Sequence, residues 1–214
     1  GGRMIEAMSI SNFYPDPYTI RNYALEREYI DCATGRQLYG ETCNHPGMRT
    51  KIGDGIKDAF VFDKISKHIE PIHGKIVEWD NEWNGLFQYC VSTDFTWVHT
   101  DMWSWWAAVL FLTPNPPIHT GTGFFRHRET GLYKSPAPMV GEEDNNYLLH
   151  TLNSDGDNWP KWEMYEEHSN QFNKMILYRG DYFHSSLRYF GKTIHDSRLF
   201  QTFFFRTEEP FNDG

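Results

Sequence analysis

At 214 residues the chain is long enough for one domain with a sizeable core, and it is read as a single domain over residues 1–214. Its net charge of -9 and pI of about 5.5 argue against a large phosphate-tracking surface, so no nucleic-acid partner is expected. The three cysteines, Cys32, Cys43 and Cys90, are odd in number and form no Cys-x-x-Cys pair, which excludes a disulfide framework or a thiolate zinc site. With no signal-like or membrane-length apolar run, a cytoplasmic protein without a membrane partner is expected.

Residues 12–74 read as helical support. Asp16 is a natural N-cap and Pro17 a natural first helical residue, which predicts a helix to about Tyr29 with Ile20, Tyr23 and Ala24 as its apolar stripe. From Asp31 to Lys51 the chain is rich in Gly, Thr, Asn and Pro and reads as loop, with His45 a solvated loop histidine. A second helix is expected from Asp54 to Ile69, capped by Asp54 and ended before Pro71, with Ile56, Ala59, Phe60, Ile65 and Ile69 inward.

From Lys75 the period changes to short β-branched and aromatic runs: KIVEW, GLFQYCV, FTWVH, WWAAVLFL, GTGFFRH, KMILYR and RLFQTFFFR. Seven or eight such strands over residues 75–206 predict a mainly β fold, a jelly roll with helices buttressing one sheet. One long interruption, about 128–170, reads as an insertion over the barrel mouth. Its Tyr147, Trp159, Trp162 and Tyr165 argue against plain disorder, and its acidic run Glu142, Glu143 and Asp144 reads as a solvated face.

Within this frame, WVHTDMW at 97–103 places His99 and Asp101 two positions apart in an expected strand, so that both project from one face toward a single metal ion. His184, just after the apolar run 175–178, is the best third ligand. Two histidines and one carboxylate form the facial triad of non-haem Fe(II) oxygenases, which leaves positions open for a co-substrate and O2. His-x-Asp alone is weak, because this composition yields about 0.65 such pairs by chance. His68-Ile69-Glu70 sits on a helix, where i and i+2 diverge. His127-Arg128-Glu129 lies where a strand gives way to a polar loop, a poor context for a metal site. Trp97, Trp103, Trp105 and Trp106 flank the ligands and divide between core and cavity in a way the sequence leaves open.

His99-Thr-Asp101, FLTPNPPIHTGTGFF, YRGDYFHSS with His184, and SRLFQTFFF with Arg198 resemble, in this order, the elements of 2-oxoglutarate/Fe(II)-dependent dioxygenases of the prolyl-4-hydroxylase-like branch. Most narrowly the chain resembles a group of small bacterial or phage members with this signature. The resemblance spans about residues 85–206. It implies a double-stranded β-helix (jelly-roll, cupin-like) fold, Fe(II) held by His99, Asp101 and His184, and 2-oxoglutarate as co-substrate for hydroxylation of a peptide or small-molecule substrate. It also implies that Arg198, 14 positions after His184, anchors the remote carboxylate of 2-oxoglutarate. Strand parity puts Arg198, Phe200, Thr202 and Phe204 on one face. Lys192 and Arg206 are weaker anchors. Tyr89 resembles the tyrosine that hydrogen-bonds the co-substrate, although it also reads as a core tyrosine. A second Arg at the short interval found in nucleic-acid demethylases is absent, since Arg206 lies eight positions on. The His-x-His pair of a three-His cupin is absent too. A non-oxygenase jelly-roll binding protein is the remaining alternative.

Overall fold

In the computed structural model, residues 4–40, 45–101, 104–136 and 152–211 are described. The elements run β1 (Met8–Ile10), α1 (Pro17–Leu25), β2 (Tyr29–Ile30), α2 (Cys32–Tyr39), β3 (Met48–Thr50), α3 (Ala59–His73), β4 (Ile76–Trp79) and β5 (Phe87–Cys90). There follow β6 (Trp106–Phe111), β7 (Thr122–His127), a 3-10 turn (Trp159–Lys161), β8 (Trp162–His168), β9 (Met175–Arg179), β10 (His184–Ser186) and β11 (Arg198–Thr207). No helix among the described residues is long and apolar enough to cross a membrane.

Two antiparallel sheets form a jelly roll with helices on the outer face of the larger one. The large sheet has the order β1-β9-β6-β11-β5-β3-β2, with β4 also paired to β11, and the small sheet has the order β10-β7-β8. Alternation along the strands explains the layering. Trp106, Ala108 and Leu110 of β6 and Leu199, Phe203 and Phe205 of β11 share a core with Phe13, Ala24, Val61, Ile65 and Ile69 of the helical side. Ala107, Val109 and Phe111 point the other way and meet Phe124 and Tyr182 of the small-sheet side. Because β6 is buried on both faces, it reads as an unbroken apolar run. Each large aliphatic or aromatic side chain so buried contributes about 1.5 to 3 kcal/mol of transfer free energy.

The helices depart from the expected boundaries. Asp16 does cap α1, accepting from the Thr19 amide at 3.4 Å, but the helix stops at Leu25. Residues 31–51 are not all loop: Asp31 accepts from the Thr34 amide at 2.8 Å and starts α2, which Gly40 ends at φ 91°. The cap of α3 is Asp58 rather than Asp54, and the helix continues through Pro71 to His73. A proline two residues from the end removes one backbone hydrogen bond of the last turn, and Gly74 still donates to the Glu70 carbonyl at 3.2 Å. The inward row is Val61, Ile65 and Ile69, four residues apart, and it leaves Phe60 41% exposed.

The β region holds two corrections. FTWVH is not a regular strand; it is an extended segment with a single bridge, His99 to His184. The expected insertion at 128–170 is in part sheet, since β8 pairs along the whole of β7. Its alternation was hidden by the glutamates of WEMYEEH, of which only Trp162 is fully buried. Glu142, Glu143, Asp144 and Tyr147 lie outside the described residues.

Candidate metal centre

Between the two sheets lies a cavity of about 530 Å³. His99, Asp101 and His184 meet on its wall, brought there by the 95–101 segment running beside β10. A reciprocal pair of backbone bonds fixes the two segments, His99 N–H to the His184 carbonyl and His184 N–H to the His99 carbonyl, each 3.0 Å. Asp101 is held by its own amide on the Gly180 carbonyl at 2.7 Å. The result places His184 Nε2 3.3 Å from one Asp101 oxygen and His99 Nε2 3.8 Å from the other.

Both imidazoles are turned for coordination. A carbonyl only accepts, so His99 Nδ1–H donates to the Trp97 carbonyl at 3.0 Å and His184 Nδ1–H to the Tyr182 carbonyl at 2.7 Å. Each Nε2 therefore carries a lone pair, and a hydrogen bond from the opposite ring nitrogen orients a metal-ligating histidine. Burial and the neighbouring His184 lower the His99 pKa. Burial alone would raise the Asp101 carboxyl, but His184 and His99 outweigh it and hold it below its usual range. For His184 burial acts downward and Asp101 prevails, raising its pKa. The charge pattern suits a divalent cation: two lone pairs and one carboxylate converge, with His99 and Asp101 partly open to the cavity and His184 buried.

A second group, His127, Glu129 and Asp155, has similar spacing, and its hydrogen bonds decide against coordination. A carboxylate only accepts, so His127 Nε2 carries the proton and donates to Asp155 Oδ2 at 2.7 Å, while Nδ1 accepts from the Thr130 hydroxyl at 2.9 Å and amide at 3.4 Å. No lone pair is left there for a metal. Tautomer, rather than spacing, separates the two clusters.

Arg198 opens β11 and is 1% exposed. Its Nε donates to the Thr120 carbonyl at 2.8 Å and its Nη2 to the Gly121 carbonyl at 3.1 Å, whereas Nη1 has no partner. The guanidinium lies over the Phe200 ring at 4.7 Å and the Phe111 ring at 5.3 Å. Burial lowers its pKa, opposed by the hydroxyl of Tyr189. Gly121 is required in this seat because a Cβ would collide with the His168 carbonyl. Arg198, Phe200, Thr202 and Phe204 all face the cavity, as the strand parity requires. Lys192 sits in an exposed turn closed by Asp196, and Arg206 pairs with Glu78 at 2.8 Å outside the cavity.

Tyr89 does not line the cavity. Neighbours on a strand face opposite ways, and here Gln88 takes the cavity face while Tyr89 packs edge-on against Tyr29 at 5.0 Å. Tyr178 and Tyr189 line the cavity instead, the first 4.8 Å from the His184 ring and the second near Arg198. Only the pairing of strands could have revealed them. Of the flanking tryptophans, Trp97 lines the cavity, Trp106 belongs to the core under the helices, and Trp103 lies outside the described residues.

The far wall also corrects the reading of His45. It is 6% exposed, lines the cavity and donates Nδ1–H to the Pro46 carbonyl at 3.1 Å, leaving Nε2 without a partner. Burial and then Arg49 push its pKa down to about 4. Gln88 braces this wall, accepting from Arg49 Nη2 at 2.9 Å and donating to the Pro46 carbonyl at 2.7 Å.

Residues 98–188, which include all three converging side chains, match the model of a family of unknown function (DUF6445). No curated protein sequence matches the chain. Among solved structures, HygX from Streptomyces hygroscopicus with nickel and 2-oxoglutarate bound is similar at 11% identity and a TM-score of 0.57, covering 96% of this chain and 84% of its own. The same protein with hygromycin B also bound gives a TM-score of 0.55 at the same identity and coverage. A prolyl-4-hydroxylase from Pseudomonas putida is 14% identical with a TM-score of 0.44, over 95% of this chain and 93% of its own. The chain has the double-stranded β-helix fold of HygX, with its own His99, Asp101 and His184 gathered between the sheets.

Proposed function

We propose that the protein is an Fe(II)- and 2-oxoglutarate-dependent oxygenase that hydroxylates a peptide or small molecule. The observation that carries this reading is the pairing, in one cavity, of a two-His, one-carboxylate centre with a buried arginine that has an unpartnered N–H. His99 Nε2, His184 Nε2 and an Asp101 oxygen are the ligands for the metal, a set that leaves the remaining positions open. Arg198 takes the remote carboxylate of 2-oxoglutarate, for which a guanidinium fork is suited. When bound, Fe(II) and 2-oxoglutarate supply the oxidising chemistry. The chain's own contribution is placement: the Trp97 and Tyr182 carbonyls orient the two imidazoles, and Phe111 and Phe200 enclose the Arg198 cation. The likeness to HygX, solved with nickel and 2-oxoglutarate, supports the same pair of ligands for this fold.

The test is calorimetric titration of Mn(II) into metal-free protein, followed by an anaerobic Fe(II) load and measurement of succinate formed from 2-oxoglutarate on exposure to O2. One metal per chain and slow succinate release without added substrate are expected. Unchanged metal affinity in both His99→Ala and Asp101→Ala would refute the site, and absence of 2-oxoglutarate binding would leave a metal-binding jelly roll.

A further inference from the structure

The segment that carries His99 and Asp101 joins no strand ladder, although it runs beside β10. Towards the cavity it is bridged by β10 through His99 and His184. On its other side, the Val98 amide donates to the Gly156 carbonyl at 2.9 Å. Gly156 follows Asp155, and Asp155 is held at both its side chain and its backbone. Its carboxylate accepts from His127 Nε2 at 2.7 Å, and its carbonyl accepts from Trp162 Nε1 at 2.8 Å. His127, the last residue of β7, is fully buried with its ring 4.8 Å from that of Trp162, the first residue of β8. A Cβ on Gly156 would meet the Val98 carbonyl oxygen at 2.7 Å, so the approach of the two chains is itself tight. Asn153 of the same turn reaches the cavity wall.

We infer that the His127–Asp155 pair is a clamp that positions the metal-binding segment, acting through the Gly156 carbonyl on Val98 and hence on His99. This rests on the assignment of His99 as a metal ligand. His127, buried at the end of β7, and the partly buried Asp155 are then positioning residues that touch none of the three candidate ligands. The Nε2–H tautomer of His127 suits it for this and unsuits it for coordination. An ordinary strand would be held by a ladder; this segment is held instead by a few point contacts, and removing the outer one frees Val98 to shift the imidazole that follows it.

The experiment compares the wild type with Asp155→Ala, Asp155→Asn and Gly156→Ala, using Mn(II) affinity by calorimetry and the visible absorption of the Co(II)-loaded protein. Asp155→Asn keeps an oxygen that accepts from His127, while Asp155→Ala removes it and Gly156→Ala pushes directly on Val98. Weakening of about 10-fold, the low end for outer partners of metal ligands, with an altered Co(II) spectrum is expected for Asp155→Ala and Gly156→Ala. Near wild-type behaviour is expected for Asp155→Asn. Ile65→Val, on the buried face of α3 and on the helical side of the large sheet, controls for general loss of stability and should leave the spectrum unchanged. The inference is overturned if both disruptive variants bind as wild type, or if Ile65→Val alters the spectrum equally. It is also overturned if the wild type binds two Mn(II) and Asp155→Ala only one, which would make His127, Glu129 and Asp155 a metal site. A wild type that binds no Mn(II), Co(II) or Fe(II) would instead remove the metal reading on which the clamp depends.

Discussion

Replacing Arg198 by Ala tests the co-substrate half of the proposed function with a magnitude that follows from its hydrogen bonds. Nε and Nη2 are committed to the Thr120 and Gly121 carbonyls, so Nη1 is the group left for an incoming carboxylate. One charge-assisted bond is worth about 1.5 to 3 kcal/mol. At about 1.4 kcal/mol per decade, Arg198→Ala should weaken 2-oxoglutarate binding roughly 10- to 150-fold. Metal binding should persist, since Arg198 touches none of the three ligands. Arg198→Lys should fall between, because an ammonium keeps the charge but cannot bond both carbonyls and the ligand as a fork does. The assay is titration of 2-oxoglutarate into Mn(II)-loaded protein. Lys192 and Arg206 lie outside the cavity, so the serious rival is Arg49, another cation that lines it, two strands along the same sheet. Wild-type affinity in Arg198→Ala together with a loss in Arg49→Ala would refute the assignment.

His45 should make stability pH-dependent. Its folded pKa of about 4 lies below the ordinary 6.5, so the unfolded chain binds the proton more readily; stability is full above about pH 6.5 and falls as pH drops towards 4. The loss, about 1 to 3 kcal/mol after allowance for screening, should be flattened in His45→Gln, as read by urea midpoints across that range. Asp58→Ala should cost about 1 kcal/mol as a lost cap, and Asp54→Ala no cap at all, by thermal unfolding. Ile65→Ala, at a site with no exposure beneath the large sheet, should cost about 2 to 5 kcal/mol in the same measurement.

What the sequence displayed was local periodicity, and the parts of the molecule governed by it were legible. The parity of RLFQTFFF placed Arg198, Phe200, Thr202 and Phe204 on one face, and all four line the cavity. The apolar runs of β6, β9 and β11 mark the large sheet because their strands are buried on both sides. The cap of α3 was not legible: the sequence points to Asp54, whereas residues 54–58 are drawn into loop, with the Ile56 amide on the Gly85 carbonyl at 3.0 Å, and Asp58 takes the Val61 amide at 3.2 Å. Nor was β8, whose outward glutamates disguise a strand that exists because β7 supplies its ladder. Tyr89 failed for a related reason. Its distance from His99 along the chain says nothing about which face of β5 it occupies, and the cross-strand pairing of Arg49 with Gln88 settles that face.

The histidines show where reading from spacing stops. His99-Thr-Asp101 and His127-Arg128-Glu129 are alike as strings, and each gathers a carboxylate within reach of an imidazole. They differ in what occupies Nδ1. At His99 and His184 a backbone carbonyl takes the Nδ1 proton and frees Nε2 to face the cavity; at His127 the Thr130 hydroxyl and amide meet Nδ1, and the proton sits on Nε2 against Asp155. Those partners come from the path of the backbone: the carbonyls lie two residues before each candidate ligand, on extended chain, whereas the amide belongs to the turn after β7. A metal centre in this fold thus needs extended backbone leading into each histidine as well as the two-residue spacing, and the same turn that disqualifies His127 as a ligand leaves it free to hold Asp155 and, through it, the segment that bears His99.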